Sequence, residues 1–185
     1  MHNTTTPLLV DKSILATTSV PGTVLFGTTA IKAVIHAGCS PVRMVETTGA
    51  NPTLWVSVRG DNRLLAFDTA KLAAETPADT QGTALLGTVA SGGQAPVGLA
   101  LFGGEKFRAV ANSNRFNAPA PGNVALFQVS RAANGTTSAS LVDTLDAQGV
   151  FPREINVGAD DATLYVTNYE SDNFLVIPTS LTSRR

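Results

Sequence analysis

The stretch TLYVTNYESDNFLVI, Thr163 to Ile177, sets two short runs of β-branched and aromatic residues on either side of a polar turn. Such residues fit a pleated, half-buried surface, and Asn, Asp and Ser supply the turn, so the stretch reads as a β-hairpin. One hairpin says little about a fold. A hairpin that recurs at a fixed period says far more, because small repeated units bury their faces only by stacking on one another.

The recurrence is present. A G-x-x-P element occurs as GCSP (Gly38–Pro41), GQAP (Gly93–Pro96) and GVFP (Gly149–Pro152), with the prolines 55 and 56 residues apart. After each comes a β-rich run (VRMVET, VGLALF, REINVG) and a small or polar turn (GANP, GGEK, GADD). A second strand (TLWVSV, FRAVAN, TLYVTN) and a third (RLLAFD, NVALFQV, NFLVIP) follow. ALLGTVA (Ala84–Ala90) and SLVDTLDA (Ser140–Ala147) close two copies as fourth strands. The middle copy carries a six-residue insert within NSNRFNAPAPGN, Asn112 to Asn123. The opening residues read as a partial copy, with ILAT (Ile14–Thr17), TVLFG (Thr23–Gly27) and KAVIHA (Lys32–Ala37) as its strands, and PLLV (Pro7–Val10) as a spare one.

Four short antiparallel strands repeated radially make a β-propeller blade. Both faces of a blade stack on neighbours, which explains apolar runs such as LWV and VALF where strict alternation is blurred. The sequence therefore predicts an all-β propeller with about four blades, two complete and two partial, near residues 1–37, 38–92, 93–148 and 149–185. TAKLAAETPAD (Thr69–Asp79) reads as a loop with one helical turn. A two-sheet sandwich also offers many short strands, but it does not predict one four-part order recurring at this period.

At Leu164-Tyr165-Val166-Thr167-Asn168 the chain resembles the YVTN family of β-propeller repeats. Leu54-Trp55-Val56-Ser57 and Val110-Ala111-Asn112 look like degenerate copies, and the preceding G-x-x-P element is similar too. The resemblance runs from about Ile14 to Leu181 and implies a seven-bladed class similar to bacterial and fungal lactonases, alongside surface and periplasmic propellers. A ring of seven such units would need about twice this length. An open ring leaves bare strand edges and faces, so the chain is expected to self-associate or to close through PLLV.

Composition narrows the partners. The 185 residues are 43% hydrophobic and 15% charged, with a formal net charge of −1 and scattered Lys and Arg, which argues against nucleic acid and anionic membranes. No apolar run reaches the length of a membrane-spanning helix. The single Cys39 reads as a buried structural thiol, and with only His2 and His36 beside it no zinc spacing exists, so neither a metal nor another cofactor is expected.

In propellers the loops joining blades, and those joining second to third strands, gather on one rim where ligands bind. Here that rim holds His36 to Pro41, Gln94, Phe151, Arg59, Asp61, Asn62, the loop Asn112 to Asn123, and Asn168 to Asp172. Arg43, Arg153 and Glu154 open the inner strands at the channel mouth, where bare charges are costly unless water, a ligand or an ion pair compensates them. Arg43 and Arg153 are candidates to hold a carboxylate or phosphate, with Glu154 or His36 as a general base. An ion pair between blades is the architectural alternative for the same charges. Arg59, Arg115, Asn112 and Asn168 complete the candidate ligand-binding set. Repetition of the two asparagines at the end of the second strand also suits side-chain-to-backbone bonding in the turn. The leading expectation is a non-catalytic binding propeller that takes a protein or small molecule on this rim. The alternative is a lactonase-like hydrolase opening a sugar-type lactone at the channel mouth.

Overall fold

A computed structural model describes residues 33–74, 82–117 and 120–180 of the chain. Its three G-x-x-P turns share one backbone feature at their third residue. The residue before each proline is left-handed, with φ 57° at Ser40, 53° at Ala95 and 59° at Phe151. Proline disfavours the right-handed helical region for its predecessor, and here the chain turns the other way. Two backbone hydrogen bonds pin each turn to the segment after the second strand. Arg59 N donates to Ser40 O and Gly60 N to Cys39 O; Ser113 N and Asn114 N donate to Ala95 O and Gln94 O; Tyr169 N and Glu170 N donate to Phe151 O and Val150 O.

From these turns run three antiparallel sheets, each in sequence order. The first contains β1 (Pro41–Glu46), β2 (Thr53–Val58), β3 (Arg63–Asp68) and β4 (Leu85–Ala90). The second contains β5 (Pro96–Phe102), β6 (Phe107–Asn112), β7 (Asn123–Arg131) and β8 (Thr137–Asp146). The third contains β9 (Pro152–Val157), β10 (Thr163–Asn168) and β11 (Asn173–Pro178). A short α-helix, α1 (Thr69–Ala74), lies where a single turn is expected. β8 starts at Thr137, three residues ahead of the run read as a strand, because its pairing with β7 continues to Arg131↔Thr137. β5 packs against both β1 and β9, so the first strands lie side by side. This is the all-β, propeller-like arrangement of blades that the repeat predicts. PLLV, ILAT, TVLFG and Lys32 lie outside the described residues.

Apolar layers join the blades. Trp55, Leu64 and Ala66 meet Leu99, Val110, Ala125 and Phe127 between the first two sheets. Ala100, Phe102, Ala109 and Leu126 meet Ile155, Leu164, Val166 and Ile177 between the second and third. Ala33, Ile35 and Ala37 cover the other face of the first sheet, against Val56, Val58, Leu65 and Phe67. Acidic tips of the first hairpins tie neighbouring blades as well. Glu105 accepts from Thr48 N, and Asp161 accepts from Gly103 N and Gly104 N.

Two side chains depart from simple expectation. Cys39 is exposed rather than buried, because it sits in the rim turn between two left-handed residues, Gly38 and Ser40. Arg108 is 2% exposed and lies over the Trp55 ring at 5.0 Å, donating to Glu105 O and Phe107 O. Burial pulls its guanidinium down to about 10, so it is still charged at neutral pH. Its aliphatic stem fills space while its charge is costly to desolvate. In urea unfolding, Arg108→Met should therefore be unchanged or stabilised, whereas Arg108→Ala should lose about 2–4 kcal/mol through the cavity it leaves. A large loss in both would show that the charge itself holds the blades together.

Candidate functional site

Each first strand carries a bulge straight after its proline. Pro41 faces Val58 while Arg43 faces Ser57; Pro96 faces Asn112 while Gly98 faces Ala111; Pro152 faces Asn168 while Glu154 faces Thr167. The skipped residues are Val42, Val97 and Arg153. A bulge re-aims side chains and is frequent beside functional sites. All three skipped residues line one cavity of about 190 Å³, together with Arg43, Arg59, Arg115, Phe151 and Tyr169. The same three positions of three blades thus converge, and only the third bears charge.

Four arginines on one wall would repel one another without compensation, and only one of them has it. Arg43 donates from Nε at 3.0 Å and from Nη2 at 2.7 Å to the same oxygen, Oε2 of Glu154. The pair links β1 to β9 across β5, whose residue at this register is Gly98, with no side chain to obstruct the reach. A Cβ at Gly98 would also stand 3.1 Å from Arg153 O and from Ile155 Cγ1, so a side chain there would crowd the close approach of β5 to β9. The other three guanidiniums lie over aromatic rings. Arg59 is 5.6 Å from the Phe116 centroid, Arg115 5.1 Å from Phe151, and Arg153 4.9 Å from Tyr169. Phe151 meets Tyr169 edge to face at 5.6 Å, which links two of these pairs into one assembly.

The candidate residues divide accordingly. Arg43, Arg59, Arg115 and Arg153 come together on the cavity wall. Glu154 stands behind Arg43 and is off the wall. His36 is exposed and also off the wall. Asn112 and Asn168 are buried, and the ligand-binding expectation for them gives way to a structural role. Asn112 Nδ2 donates to Ser91 O and Asn123 Oδ1, and Asn168 Nδ2 donates to Ala147 O and Asn173 Oδ1. Their side chains fill the space beside Gly93 and Gly149, where a Cβ would come within 2.7 and 2.6 Å, and this explains the glycine of the motif in the second and third copies. Asn62, another rim residue, ties two blades by donating to Gln94 Oε1 and accepting from Ala95 N. Val42 and Val97 were missed by sequence reasoning; their signal is position, immediately after each repeat's proline. Among the described residues no group of three or more His, Cys, Asp or Glu side chains is placed to hold a metal.

Comparisons with known proteins place the fold. No family model matches the sequence, and no curated protein matches it either. Among solved structures, a protein from Lactobacillus plantarum is similar with a TM-score of 0.59 at 19% identity, over 84% of this chain and 42% of that one. The periplasmic gluconolactonase of Pseudomonas aeruginosa is similar with a TM-score of 0.55 at 18% identity, over 76% of this chain and 36% of that one. The chain thus spans less than half the length of either structure. At these identities the likeness is one of fold.

The Arg43–Glu154 pair is partly solvated, each side chain being 37% exposed. Its contribution is accordingly modest. A double-mutant cycle of Arg43→Met and Glu154→Gln, read by urea unfolding, should give a coupling of about 0.5–1 kcal/mol that shrinks at high salt. A salt-insensitive coupling several times larger would contradict this geometry.

Proposed function

We propose that the chain serves a lactonase-like propeller hydrolase, with the rim cavity holding a small sugar-type lactone. The observation carrying this reading is two arginines on the cavity wall with a carboxylate bonded to one of them. Arg43 and Arg153 are both on its wall, and the Glu154 carboxylate is within hydrogen-bond reach of Arg43. Arg43 uses only Oε2, which leaves Oε1 without a hydrogen bond to any described residue and able to accept a proton from water. The water oxygen would add to the lactone carbonyl carbon as Oε1 takes its proton. Arginine would compensate the charge growing on the carbonyl oxygen. The ring C–O bond would then break, and the leaving oxygen would recover the proton from Glu154, giving a hydroxy acid. The fold likeness to a gluconolactonase supports this reaction class by analogy. His36, off the wall, has no part in it.

A second reading, binding without chemistry, is favoured by one feature: Glu154 is not itself on the cavity wall. The two separate in a pH-stat assay on a panel of lactones. Glu154→Gln keeps a carbonyl acceptor for Arg43 yet removes the base, so hydrolysis should fall by about 100-fold or more, and Arg153→Gln should act mainly on KM. Equal acid release by wild type and Glu154→Gln, or none from wild type on any lactone, would leave the binding reading in its place.

A further inference from the structure

The seven arginines among the described residues sort into two groups. Arg43, Arg63, Arg108 and Arg131 each have acceptors: Glu154, Asp61, two backbone carbonyls, and Asn51 O with Asp68, respectively. Arg59, Arg115 and Arg153 donate no side-chain hydrogen bond to any described residue and pair with no described carboxylate, and the Nε of Arg59 is buried without a partner. All three line the one cavity described above. Arg115 and Arg153 are exposed, so water solvates their free edges; Arg59 is half-buried, and its buried Nε is unpartnered like those of Arg63 and Arg108, but its other donors lack the acceptors those two have.

We propose that this cavity recognises a small molecule carrying two or more anionic groups, and that the insert between β6 and β7 creates that preference. The inference rests on the cavity being a ligand site and not on hydrolysis there. Each of the three guanidiniums lies over an aromatic ring, a contact that uses up no hydrogen-bond acceptor, so its N–H groups stay available as donors to a carboxylate or phosphate. With Arg43 balanced by Glu154, three positive charges are left on the wall. A monoanion compensates one of them; a di- or trianion compensates two or three. A volume of about 190 Å³ lies below the pockets of about 300–1,000 Å³ that hold drug-sized ligands and suits a compact metabolite.

The insert supplies what the neighbouring blades lack. Its consecutive residues Arg115 and Phe116 reach in opposite directions, Arg115 to Phe151 of the third blade and Phe116 to Arg59 of the first. Phe151 itself holds a left-handed backbone at a position where the other repeats carry Ser40 and Ala95. A bulky residue kept in that conformation is a mark of functional constraint.

The test is calorimetric titration of the full chain at constant ionic strength with acetate, succinate, citrate, inorganic phosphate and pyrophosphate. Citrate and pyrophosphate should bind at least about tenfold more tightly than acetate, since each added charge-assisted contact is worth about tenfold or more. Arg59→Gln, Arg115→Gln and Arg153→Gln should each weaken citrate binding about tenfold or more, with Arg→Lys versions as folded controls, while Arg131→Gln should not. Equal binding of acetate and citrate, no binding of any probe, or an equal loss in Arg131→Gln overturns the inference. Glu154-dependent opening of neutral lactones with no multianion preference would sink this inference and spare the hydrolase reading. Citrate binding as described without lactone opening would do the reverse.

Discussion

The left-handed residue before each proline, locked by two backbone hydrogen bonds, is the constraint on which the site depends. It fixes where the first strand begins and forces the bulge that follows. Three identical locks therefore deliver three skipped residues, Val42, Val97 and Arg153, to one place. The turn is strained for a bulky side chain, and Phe151 costs about 1–3 kcal/mol there. Its contacts with the Arg115 guanidinium and the Tyr169 ring contribute about 0.5–1.5 kcal/mol each, which is of the size needed to hold it. Strain and stacking are thus two halves of one arrangement.

Blade stacking and blade registry are handled by different chemistry. Apolar layers supply area but little direction, since burial is roughly proportional to surface and indifferent to small slides. Direction comes from polar ties between hairpin tips and turns. Glu105 reaches the first blade, Asp161 reaches the second, and Asn62 holds the turn that opens β5. The same division explains the outer face of the third sheet. Tyr165 is 41% exposed, whereas Trp55 and Ala109 at the equivalent positions are fully covered by the blade that follows each of them.

The fold was legible because its punctuation is chemical. Glycine and proline mark the turns at a constant period, and the runs between them are rich in β-formers, so strands and their order could be read directly. The four cavity arginines were legible too, since charge at the rim of an apolar blade stands out. The bulge was not legible, because the residue it displaces is Val, Val or Arg and carries no signature of its own. The asparagines show the limit from the other side. A polar side chain at a strand end has the same sequence signal whether it faces a ligand or a buried carbonyl, and only Gly93 and Gly149 packed against it decide the matter. Cys39 misled because burial statistics for cysteine speak of cores, and this one lies in a rim turn.

Near-neutral overall charge and a cationic cavity are compatible because they act at different ranges. A formal net charge of −1 creates no field that could steer an anion from a distance. Screening in physiological salt reaches about 8 Å, so the cavity's charge is felt mainly by a molecule already at its mouth. Recognition there is a matter of contact geometry, which is where arginine differs from lysine. A planar guanidinium can lie against a ring and still present a fork of donors in its plane, whereas an ammonium is a point charge with no face to stack. On the proposed reading, the rings beside Arg59, Arg115 and Arg153 restrict those side chains before any ligand arrives, and such preorganisation would reduce the ordering cost of binding.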